Sequence, residues 1–506
     1  MLQKLIEQSA RKYGHKRALV FKEKEVTYSE LQNQVFLLAH ALKNLGLKKS
    51  DKVALYLPNS LEYVYSYLAC LSLGAVVVPL DFMLKEDELT SCLNHSETRF
   101  LMALSRNEVS FQKLKSNVKS LQTIILTAPS PEASGQNFYL YSTIIQSSSN
   151  QAPNVNISDS DPALIMYTSG TTGKPKGILL NYKHLEGSPK AMEHFVDLSD
   201  RDIKLCAIPF SHIGGFIYIQ NCIQFGITLV IMDRFNPLEF LKLIEKYKVT
   251  CFHIVPPMYT ALLTVKTIDQ FDLSRLRWVV VFGAPSSPEI LERFHRYCPN
   301  AELLNGWGMT ETSPPNTVTP LGSKRIESVG KPSNVCEIKI FDENDKEVSS
   351  DEVGEIVIRG PYIFAGYYKD PNSTNDMIRH GWFHTGDLGR VDEEGYLYIV
   401  GRIKEMIKVA GQIVYAPEVE SVLCKHPSVM EAAVIGVLDG MRGEAVKAFV
   451  VLKEGEKLTP EEVRHFAREH LANFKVPQTI ELRENLPKNR TGKIDKVLLK
   501  QEMVIL

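Results

Sequence analysis

Eleven consecutive residues, YTSGTTGKPKG from Tyr167 to Gly177, combine three glycines, four Ser or Thr hydroxyls and two lysines. Glycines let backbone N–H groups approach an anion, hydroxyls donate hydrogen bonds, and lysines add positive charge. This composition is typical of a loop that binds a polyphosphate. It does not match the Walker A pattern, because the glycines are too close together and Lys174 precedes Pro175. The alternative is an ordinary surface hairpin.

The apolar segments on both sides of this loop, ALIMY before it and GILL after it, predict two β-strands joined as a hairpin. Further strands are predicted at VALYLP, AVVVPL, ITLVIM, WVVVFG and EIVIRG, and helices at PLEFLKLIEKY and PEILERFHRY. A capping box formed by Thr27 and Glu30 predicts the start of a helix that ends at Gly46. This alternation of strands and helices predicts an α/β fold.

The chain of 506 residues is too long for one hydrophobic core, because single cores stop growing at about 250–300 residues. Near residue 400 the pattern changes to charged helices and short strands, which continue to the end. We therefore predict an N-terminal domain at 1–400 and a C-terminal domain at 401–506. The sequence shows no internal repeat.

Composition excludes several classes of protein. A formal net charge of −1 argues against bulk electrostatic binding to nucleic acid or to anionic membranes. The eight cysteines form no CxxC pair, which predicts buried free thiols in a reducing compartment. The N-terminus lacks the apolar region of a signal peptide, and the longest apolar run, Leu68–Leu80, is too short to span a bilayer. A cytoplasmic location is therefore predicted.

The glycine-rich loop resembles the phosphate loop of the adenylate-forming superfamily, which includes acyl-CoA synthetases, peptide-synthetase adenylation domains and luciferases. Further family-like motifs follow in order: PFSHIGG, FGAPSSPE, NGWGMTE, HTGDL, GRIKEMIKVAG and PKNRTGKID. The resemblance covers essentially the whole chain and is closest to fatty-acyl-CoA and coumarate-type ligases. It implies a large N-terminal adenylation domain of β-sheets flanked by helices, with a small β-barrel subdomain. A smaller, mobile α+β lid domain would follow.

The resemblance implies a reaction in two steps. A carboxylate attacks the α-phosphorus of ATP, which gives an acyl-adenylate and pyrophosphate. A thiol then attacks the acyl carbon, and AMP leaves. The implied cofactors are ATP, Mg²⁺ and coenzyme A as a substrate. Two other functions stay open: loading of a carrier protein instead of CoA, and a non-catalytic nucleotide-binding scaffold.

The residues assigned to ATP by the resemblance come from the phosphate loop, two strand ends and the ribose side of the site. They are Thr168, Ser169, Gly170, Thr171, Thr172, Gly173, Lys176, Gly283, Ala284, Pro285, Asn305, Gly306, Trp307, Gly308, Asp387 and Arg402. Asp387 would accept the ribose hydroxyls, and Trp307 would stack on the adenine. For Asp387 the alternative is an exposed loop residue, and for Trp307 it is core packing.

The catalytic residues implied by the resemblance are Lys493, Thr310, Glu311 and His212. Glu311 would ligate Mg²⁺, Thr310 would contact the α-phosphate, and Lys493 would bridge that phosphate and the carboxylate. The alternatives are a helix-start acid for Glu311, a solvated surface residue for Lys493 and a buried core histidine for His212.

The acyl pocket is assigned to Phe216, Phe282 and Gly308 by the same resemblance. The segment PFSHIGGFIYI carries no acid to pair with a substrate ammonium, which favours a fatty or aryl acid with an uncharged tail. Phe282 stands where relatives often have a small residue, so it should narrow the pocket towards compact or medium-chain acids.

Domain rotation between the two steps is also implied. Lys404 matches the hinge residue, and Lys408 and Gly411 match the face that comes to the CoA side. The identity of the acid and the oligomeric state stay open, with a homodimer among the options.

Overall fold

The computed structural model describes residues 2–106, 109–130, 135–146, 148–168, 176–283, 288–488 and 494–504. The chain forms two compact units. The first comprises Met1–Ile326, Pro332–Glu337 and Arg359–Arg379, and the second comprises Glu327–Lys331, Ile338–Ile358 and His380–Leu506. The boundary at residue 400 stays a prediction.

Helices of the first unit pack on its sheets. They are α1 (Leu2–Tyr13), α2 (Tyr28–Asn44), α3 (Leu61–Ser72), α4 (Glu86–Ser96), α5 (Phe111–Asn117), α6 (Tyr141–Ile145), α7 (Gly187–Phe195), α8 (Ile213–Phe225), α9 (Pro237–Tyr247), α10 (Pro256–Leu263), α11 (Pro288–His295) and α12 (Pro371–Met377). The predicted capping box is confirmed at α2, where the Glu30 N–H donates to Thr27 Oγ1 and the Thr27 N–H donates to Glu30 Oε2.

An N-terminal sheet of the first unit has the order β19-β9-β8-β4-β3-β5-β6-β7. Its strands are β3 (Lys52–Tyr56), β4 (Val76–Pro79), β5 (Phe100–Ala103), β6 (Thr123–Leu126), β7 (Phe138–Leu140), β8 (Pro162–Thr168), β9 (Lys176–Asn181) and β19 (Gly366–Tyr367). The strands from β3 to β7 are parallel, and helices cover both faces of such sheets. Continuous apolar segments such as VALYLP are the expected consequence.

A central sheet of the first unit contains the order β15-β14-β13-β12-β10-β11-β1-β2. Its strands are β1 (Arg17–Phe21), β2 (Lys24–Thr27), β10 (Ile203–Cys206), β11 (Thr228–Ile231), β12 (Cys251–Ile254), β13 (Trp278–Val281), β14 (Glu302–Trp307) and β15 (Thr317–Val318). Two short strands, β16 (Lys331–Pro332) and β20 (Ile378–Arg379), lie where the chain passes between the units.

The two sheets repeat one topology. The parallel strands follow the order β4-β3-β5-β6-β7 in the N-terminal sheet and β11-β10-β12-β13-β14 in the central sheet. In both, the second strand lies beside the first, and the third strand lies on the other side of the first. Ligands of such sheets bind outside the carboxyl ends of the first and third strands, where the winding direction reverses. This repeat is visible in the fold and was not visible in the sequence.

The second unit contains two sheets. One has the strands β17 (Glu337–Phe341), β18 (Gly354–Arg359), β21 (Trp382–Val391) and β22 (Leu397–Arg402). The other has the order β24-β23-β26-β25, with β27 paired to β26. Its strands are β23 (Met406–Val409), β24 (Gln412–Tyr415), β25 (Val429–Asp439), β26 (Gly443–Leu452) and β27 (Thr479–Arg483), and its helices are α13 (Ala416–Cys424), α14 (Pro460–His470) and α15 (Lys496–Val504).

The predicted fold class is confirmed: a large α/β part with sheets flanked by helices precedes a smaller α+β part. All eight cysteines are free thiols, as predicted; Cys336 and Cys424 are partly exposed and the others are buried. None of the helices in the described ranges has both the length and the apolar composition that a membrane span requires.

Candidate active site

The strands that flank the glycine-rich loop form the predicted hairpin. β8 and β9 are antiparallel, and Thr168 pairs with Lys176 across the loop. The loop itself lies outside the described residues, and so do parts of two other motifs. The predicted site residues concerned are Ser169, Gly170, Thr171, Thr172, Gly173, Ala284, Pro285 and Lys493.

Lys176 and Glu311, which come from different motifs, both contact Tyr367. Lys176 Nζ lies 4.3 Å from the centre of the Tyr367 ring. The Tyr367 hydroxyl donates to Glu311 Oε1 at 3.2 Å, and the Glu311 side chain is buried. Burial, followed by the Glu311 charge, raises the pKa of Tyr367, so its hydroxyl stays a donor. Sequence reasoning missed Tyr367, and no feature of the GYYKD segment indicates it.

This carboxylate suits a Mg²⁺ that also binds phosphate. Mg²⁺ in nucleotide sites takes one or two carboxylates together with phosphate oxygens and water. Across the described ranges, no group of three or more His, Cys, Asp and Glu side chains could hold a metal. Glu311 lies in the turn Thr310–Thr312 directly after β14, with half-buried Thr310 beside it. Among the described residues, Glu311 therefore does not belong to a preformed group of three or more metal-binding side chains.

The central sheet opens between β10 and β12, its first and third strands in the repeated topology. In the described structure, Lys204 and Cys251 are the one register pair between them, whereas β12 and β13 pair at four positions. Tyr218 of α8 fills the gap: its hydroxyl donates to the His253 carbonyl and accepts from the His253 N–H, both at 2.8 Å. A ligand crevice is expected at this position from the topology.

His253 fastens β12 to the first turn of α8. Its Nε2 lies 2.9 Å from the Gly214 carbonyl oxygen, and because a carbonyl only accepts, Nε2 carries the proton. The ring stacks on Tyr218 with centres 4.0 Å apart. Burial, followed by the nearby Lys204, holds the pKa of His253 well below its ordinary value, so the imidazole is neutral. Sequence reasoning did not select His253, because nothing local separates it from a core residue.

Lys204 lies on β10, the strand beside β12, which carries His253. Its ammonium is 4.7 Å from the Tyr218 ring centre and 5.2 Å from the Trp278 ring centre. Nζ has no hydrogen-bond partner among the described residues, and the side chain is fully buried. Burial lowers the pKa of Lys204, and the nearby Cys251, Cys206 and Asp202 oppose that shift only in part.

His212 is the residue that precedes α8, at the same end of the sheet. It is half-buried, and its carbonyl accepts from the N–H groups of Gly215 and Phe216 at 3.0 Å. Gly215 is required here, since a Cβ would collide with the Pro209 carbonyl. Phe216 is buried and stacks on Tyr67 with ring centres 4.5 Å apart.

The loop that leads to His212 is held by Asn59, a residue that follows β3 of the other sheet. Asn59 Nδ2 donates to the carbonyls of Ile208 at 2.9 Å and Met232 at 3.1 Å, and Oδ1 accepts from the Phe210 N–H at 2.7 Å. The side chain is buried and uses three hydrogen bonds to shape one loop. Sequence reasoning missed it, although a polar residue directly after a buried strand was a usable signal.

Phe282 follows β13, the strand beside β12 in the central sheet. Its ring centre lies 5.8 Å from that of His253, and the rings are nearly perpendicular at 79°. The ring also covers Gly306, where a Cβ would collide with it. Gly283, the next residue, is exposed and has a φ of 92°. Phe282 is half-buried.

The other predicted residues of β14 and its end are closely packed. Asn305 is buried; its Nδ2 donates to the Ile326 carbonyl, and its N–H donates to Thr319 Oγ1 at 2.8 Å. Trp307 is 8% exposed and lies on β14. A Cβ at Gly308 would come within 2.6 Å of Pro314 Cβ, so that position accepts no side chain.

In the second unit, Asp387 and Arg402 are cross-strand partners on β21 and β22. Arg402 Nε lies 2.8 Å from Asp387 Oδ1, and the Asp387 N–H donates to Thr385 Oγ1 at 3.1 Å. Asp387 is 5% exposed. The structure therefore brings together the two residues that were assigned to the ribose from separate motifs.

The residues predicted for the hinge and the CoA side are exposed. Lys404 lies in the turn Ile403–Glu405. Lys408 lies on β23, and its N–H donates to Glu444 Oε2 at 2.7 Å. Gly411 has a φ of 83° and follows Ala410 with a φ of 49°, which is typical of a two-residue type I′ hairpin turn.

Comparison with known proteins shows the family of this chain. Residues 6–368 match the model of the AMP-binding enzymes, and residues 418–493 match that of the AMP-binding enzyme C-terminal domain. A long-chain-fatty-acid–CoA ligase of Bacillus subtilis (strain 168) is 32% identical over 97% of this chain and 93% of its own. The 4-coumarate–CoA ligase CCL1 of Humulus lupulus is 32% identical over 95% and 89%.

A solved structure is similar over the whole chain. The anthranilate CoA ligase AuaEII in complex with anthranoyl-AMP superposes with a TM-score of 0.92 at 26% identity, and the match covers 100% of this chain and 97% of that one. The relatives are named as CoA ligases, which are AMP-forming acid–thiol ligases. The chain thus belongs to the AMP-binding enzymes, a family of ligases that activate carboxylic acids as adenylates.

Proposed function

We propose that this protein is an ATP-dependent acyl-CoA synthetase for a fatty or aryl carboxylic acid. The acid would form an acyl-adenylate with release of pyrophosphate, and coenzyme A would then displace AMP to give the thioester. The observation that carries the proposal is the opening between β10 and β12, where Phe282 and neutral His253 line the strand ends near His212. Such a lining suits an uncharged acyl group.

In the first step two anions must react, so positive charge has to be placed beside them. Glu311 would hold Mg²⁺ with help from Thr310 on the α-phosphate, and the metal would neutralise phosphate charge. Lys176 and the loop before it would bind the β- and γ-phosphates. Lys493 would bridge the acid and the α-phosphate. Tyr367 keeps the Glu311 carboxylate oriented through its hydroxyl.

In the second step the adenylate must stay bound while the thiol enters. Asp387, oriented by Arg402, would accept the ribose hydroxyls. Lys408 and Gly411 would lie on the CoA side after a rotation about Lys404. Because these residues follow one another along the chain directly after β22, one rotation would move them together.

The test is a panel of acids with the purified protein, ATP and Mg²⁺, read by pyrophosphate release. We expect release that depends on the acid and is highest for medium-chain fatty acids or compact aryl acids. No acid-dependent release from the panel would contradict adenylate formation and would favour a nucleotide-binding scaffold.

The acceptor is tested separately, with the best acid. CoA and a phosphopantetheine-bearing carrier protein are added in parallel reactions, and the thioester is detected by mass spectrometry. We expect acyl-CoA. Thioester on the carrier protein alone would instead support the alternative, an enzyme that loads a carrier.

A further inference from the structure

A partly buried ion-pair cluster in the second unit connects two segments that are far apart in sequence. Lys496 Nζ lies 2.8 Å from Glu420 Oε1 and 3.3 Å from Glu405 Oε2. Glu420 Oε1 also accepts from the Val434 N–H at 2.7 Å. Side-chain exposure is 19% for Lys496, 18% for Glu420 and 32% for Glu405, so water screens these charges only in part.

Charge balance in the cluster depends on the lysine. Burial lowers the pKa of Lys496, but Glu420 and Glu405 outweigh burial and raise it above the ordinary value. Burial raises the pKa of Glu420, and Lys496 opposes that shift. The ammonium therefore holds together two carboxylates that would otherwise repel each other.

Lys496 lies at the base of the loop that carries Lys493. Lys488 and Ile494 form an antiparallel bridge across that loop, and the Asp495 N–H donates to the Pro487 carbonyl at 2.8 Å. Asp495 then accepts from the N–H groups at the start of α15 through Oδ1. The loop thus ends in a closed base, and Lys496 is the first residue of the helix that follows.

Glu405 belongs to the other segment, since it is the last residue of the turn Ile403–Glu405 that contains Lys404. Lys496 and Glu405 are 91 positions apart along the chain. β23, which carries Lys408, begins directly after Glu405, so its position relative to the turn is set by the chain itself. Ile494 and Asp495, which follow Lys493 in sequence, are not joined to the hinge turn by a short stretch of chain, so the ion pairs of Lys496 supply that link.

We propose that Lys496 is a positioning residue that fixes the base of the Lys493 loop to the hinge turn through Glu405 and Glu420. This inference rests on the proposed function. Rotation about the hinge then carries the loop to one defined place for adenylate formation. A displacement of a reacting group by about 1 Å can cost about 10²-fold in rate. Thioester formation uses the β23 side and does not need the link.

The test separates the two half-reactions. Adenylate formation is followed by acid-dependent pyrophosphate release, and thioester formation is followed with synthetic acyl-adenylate plus CoA. The variants are Lys496→Met, Lys496→Arg and, as the matched control, Lys500→Met on the exposed side of the same helix. Lys493→Ala gives the reference for loss of the Lys493 ammonium itself.

We expect Lys496→Met to lower adenylate formation about 10–10²-fold and to change thioester formation less than about twofold. Lys496→Arg should keep most of both rates, because a guanidinium can bind both carboxylates. Lys500→Met should leave both rates unchanged. Equal losses in the two half-reactions, or no loss in either, would overturn the inference, since a purely structural role affects both alike.

Glu405→Gln decides the matter if Lys496→Met does not fold. It keeps the pair between Lys496 and Glu420 and weakens only the link to the hinge turn. We expect the same selective loss of adenylate formation, reduced in size. Unchanged adenylate formation in Glu405→Gln would overturn the inference. A wild-type protein without acid-dependent pyrophosphate release would contradict the proposed function instead.

Discussion

The N-terminal and central sheets share one order of parallel strands but differ where their first and third strands meet. In the N-terminal sheet, β3 and β5 pair at four successive positions, from Val53 with Phe100 to Tyr56 with Ala103. In the central sheet, the described pairing of β10 with β12 is limited to Lys204 and Cys251. The topology therefore predicts a ligand position in both sheets. In the N-terminal sheet, the continuous backbone pairing of β3 with β5 closes that position.

At the opening, the backbone N–H and carbonyl of His253 keep a hydrogen-bond partner. The Tyr218 hydroxyl takes the place of a strand and satisfies both the N–H and the carbonyl of His253. Buried backbone groups without partners cost about 1–3 kcal/mol each, so the Tyr218 hydroxyl offsets the cost of separating the two strands. In α3, the corresponding helix of the N-terminal sheet, Tyr67 has no hydrogen-bond partner among the described residues and packs on Phe216 instead.

The N-terminal sheet still serves the site. Asn59, at the end of its first strand, shapes the loop that leads to His212. Both copies of the topology carry residues of the candidate site, since Lys176 on β9 and Tyr367 on β19 also belong to the N-terminal sheet. The two copies differ where their first and third strands meet, and matched substitutions at corresponding positions should differ as follows, from the largest expected effect to the smallest.

The largest effect is expected from Glu311→Gln, in the turn after β14. Loss of one preorganised charge typically costs about 10²–10³-fold in rate, and we expect that decrease in acid-dependent pyrophosphate release. Glu62→Gln is the matched control, because Glu62 lies in the first turn of α3, after a strand of the N-terminal sheet. Equal effects of the two substitutions would show that Glu311 is only a helix-start acid.

Phe282→Gly should move the acid preference towards longer or bulkier acids, because the ring occupies space beside His253. Each methylene in a close-packed site is worth about 1–3 kcal/mol in discrimination. The measurement is kcat/KM over a chain-length series. Thr127→Gly, at the matching strand end of the N-terminal sheet, should not alter the profile.

Melting curves accompany this comparison, since loss of a buried Phe can cost about 3–5 kcal/mol. A folded Phe282→Gly protein with the wild-type profile would contradict the assignment of Phe282 to the acyl pocket. A wild type that already prefers long chains would contradict it too.

Tyr218→Phe should destabilise the protein by about 1–3 kcal/mol, because the His253 N–H and carbonyl would lose their partner in a buried place. Tyr67→Phe removes a hydroxyl without a partner in the described structure, and we expect a change within about 0.5 kcal/mol. Denaturant unfolding of both variants gives the free energies. Similar losses of unfolding free energy in the two variants would contradict the role of the Tyr218 hydroxyl as partner of the His253 backbone groups.

The smallest effect concerns pH. His253 is neutral in the fold with a lowered pKa, and an unfolded histidine has a pKa near about 6.5, so the unfolded state binds the extra proton. The associated stability is present above about pH 6.5 and is lost as pH falls below it. At pH 5.5 the loss attributable to this residue is about 1.4 kcal/mol.

His253→Gln removes this titration and keeps a side-chain donor for the Gly214 carbonyl. Between pH 7.5 and pH 5.5 the variant should lose less unfolding free energy than the wild type by about that amount. The corresponding third residue of β5, Met102, does not titrate, so that position contributes no such pH dependence. Parallel pH dependences of the two proteins would contradict a neutral buried His253.

Local patterns were sufficient for much of this protein. The hairpin around the glycine-rich loop, the capping box at Thr27 and the helices α9 and α11 were predicted from the sequence, and the structure confirms them. Motifs of a few residues also predicted the family, and the comparisons confirm it. These features depend on side chains within one or two turns of each other, so the sequence by itself determined them.

The site needed the tertiary structure wherever its contacts join distant segments. Tyr218 and His253 are 35 positions apart, and Asn59 and Phe210 are 151 apart. No local pattern states which strand ends will be neighbours, and the repeated strand order has no counterpart in a sequence repeat. Whether a strand pair closes or opens depends on which groups satisfy its backbone. Only the packed fold decides which groups these are, because a buried N–H or carbonyl can pair with any group of suitable chemistry and geometry.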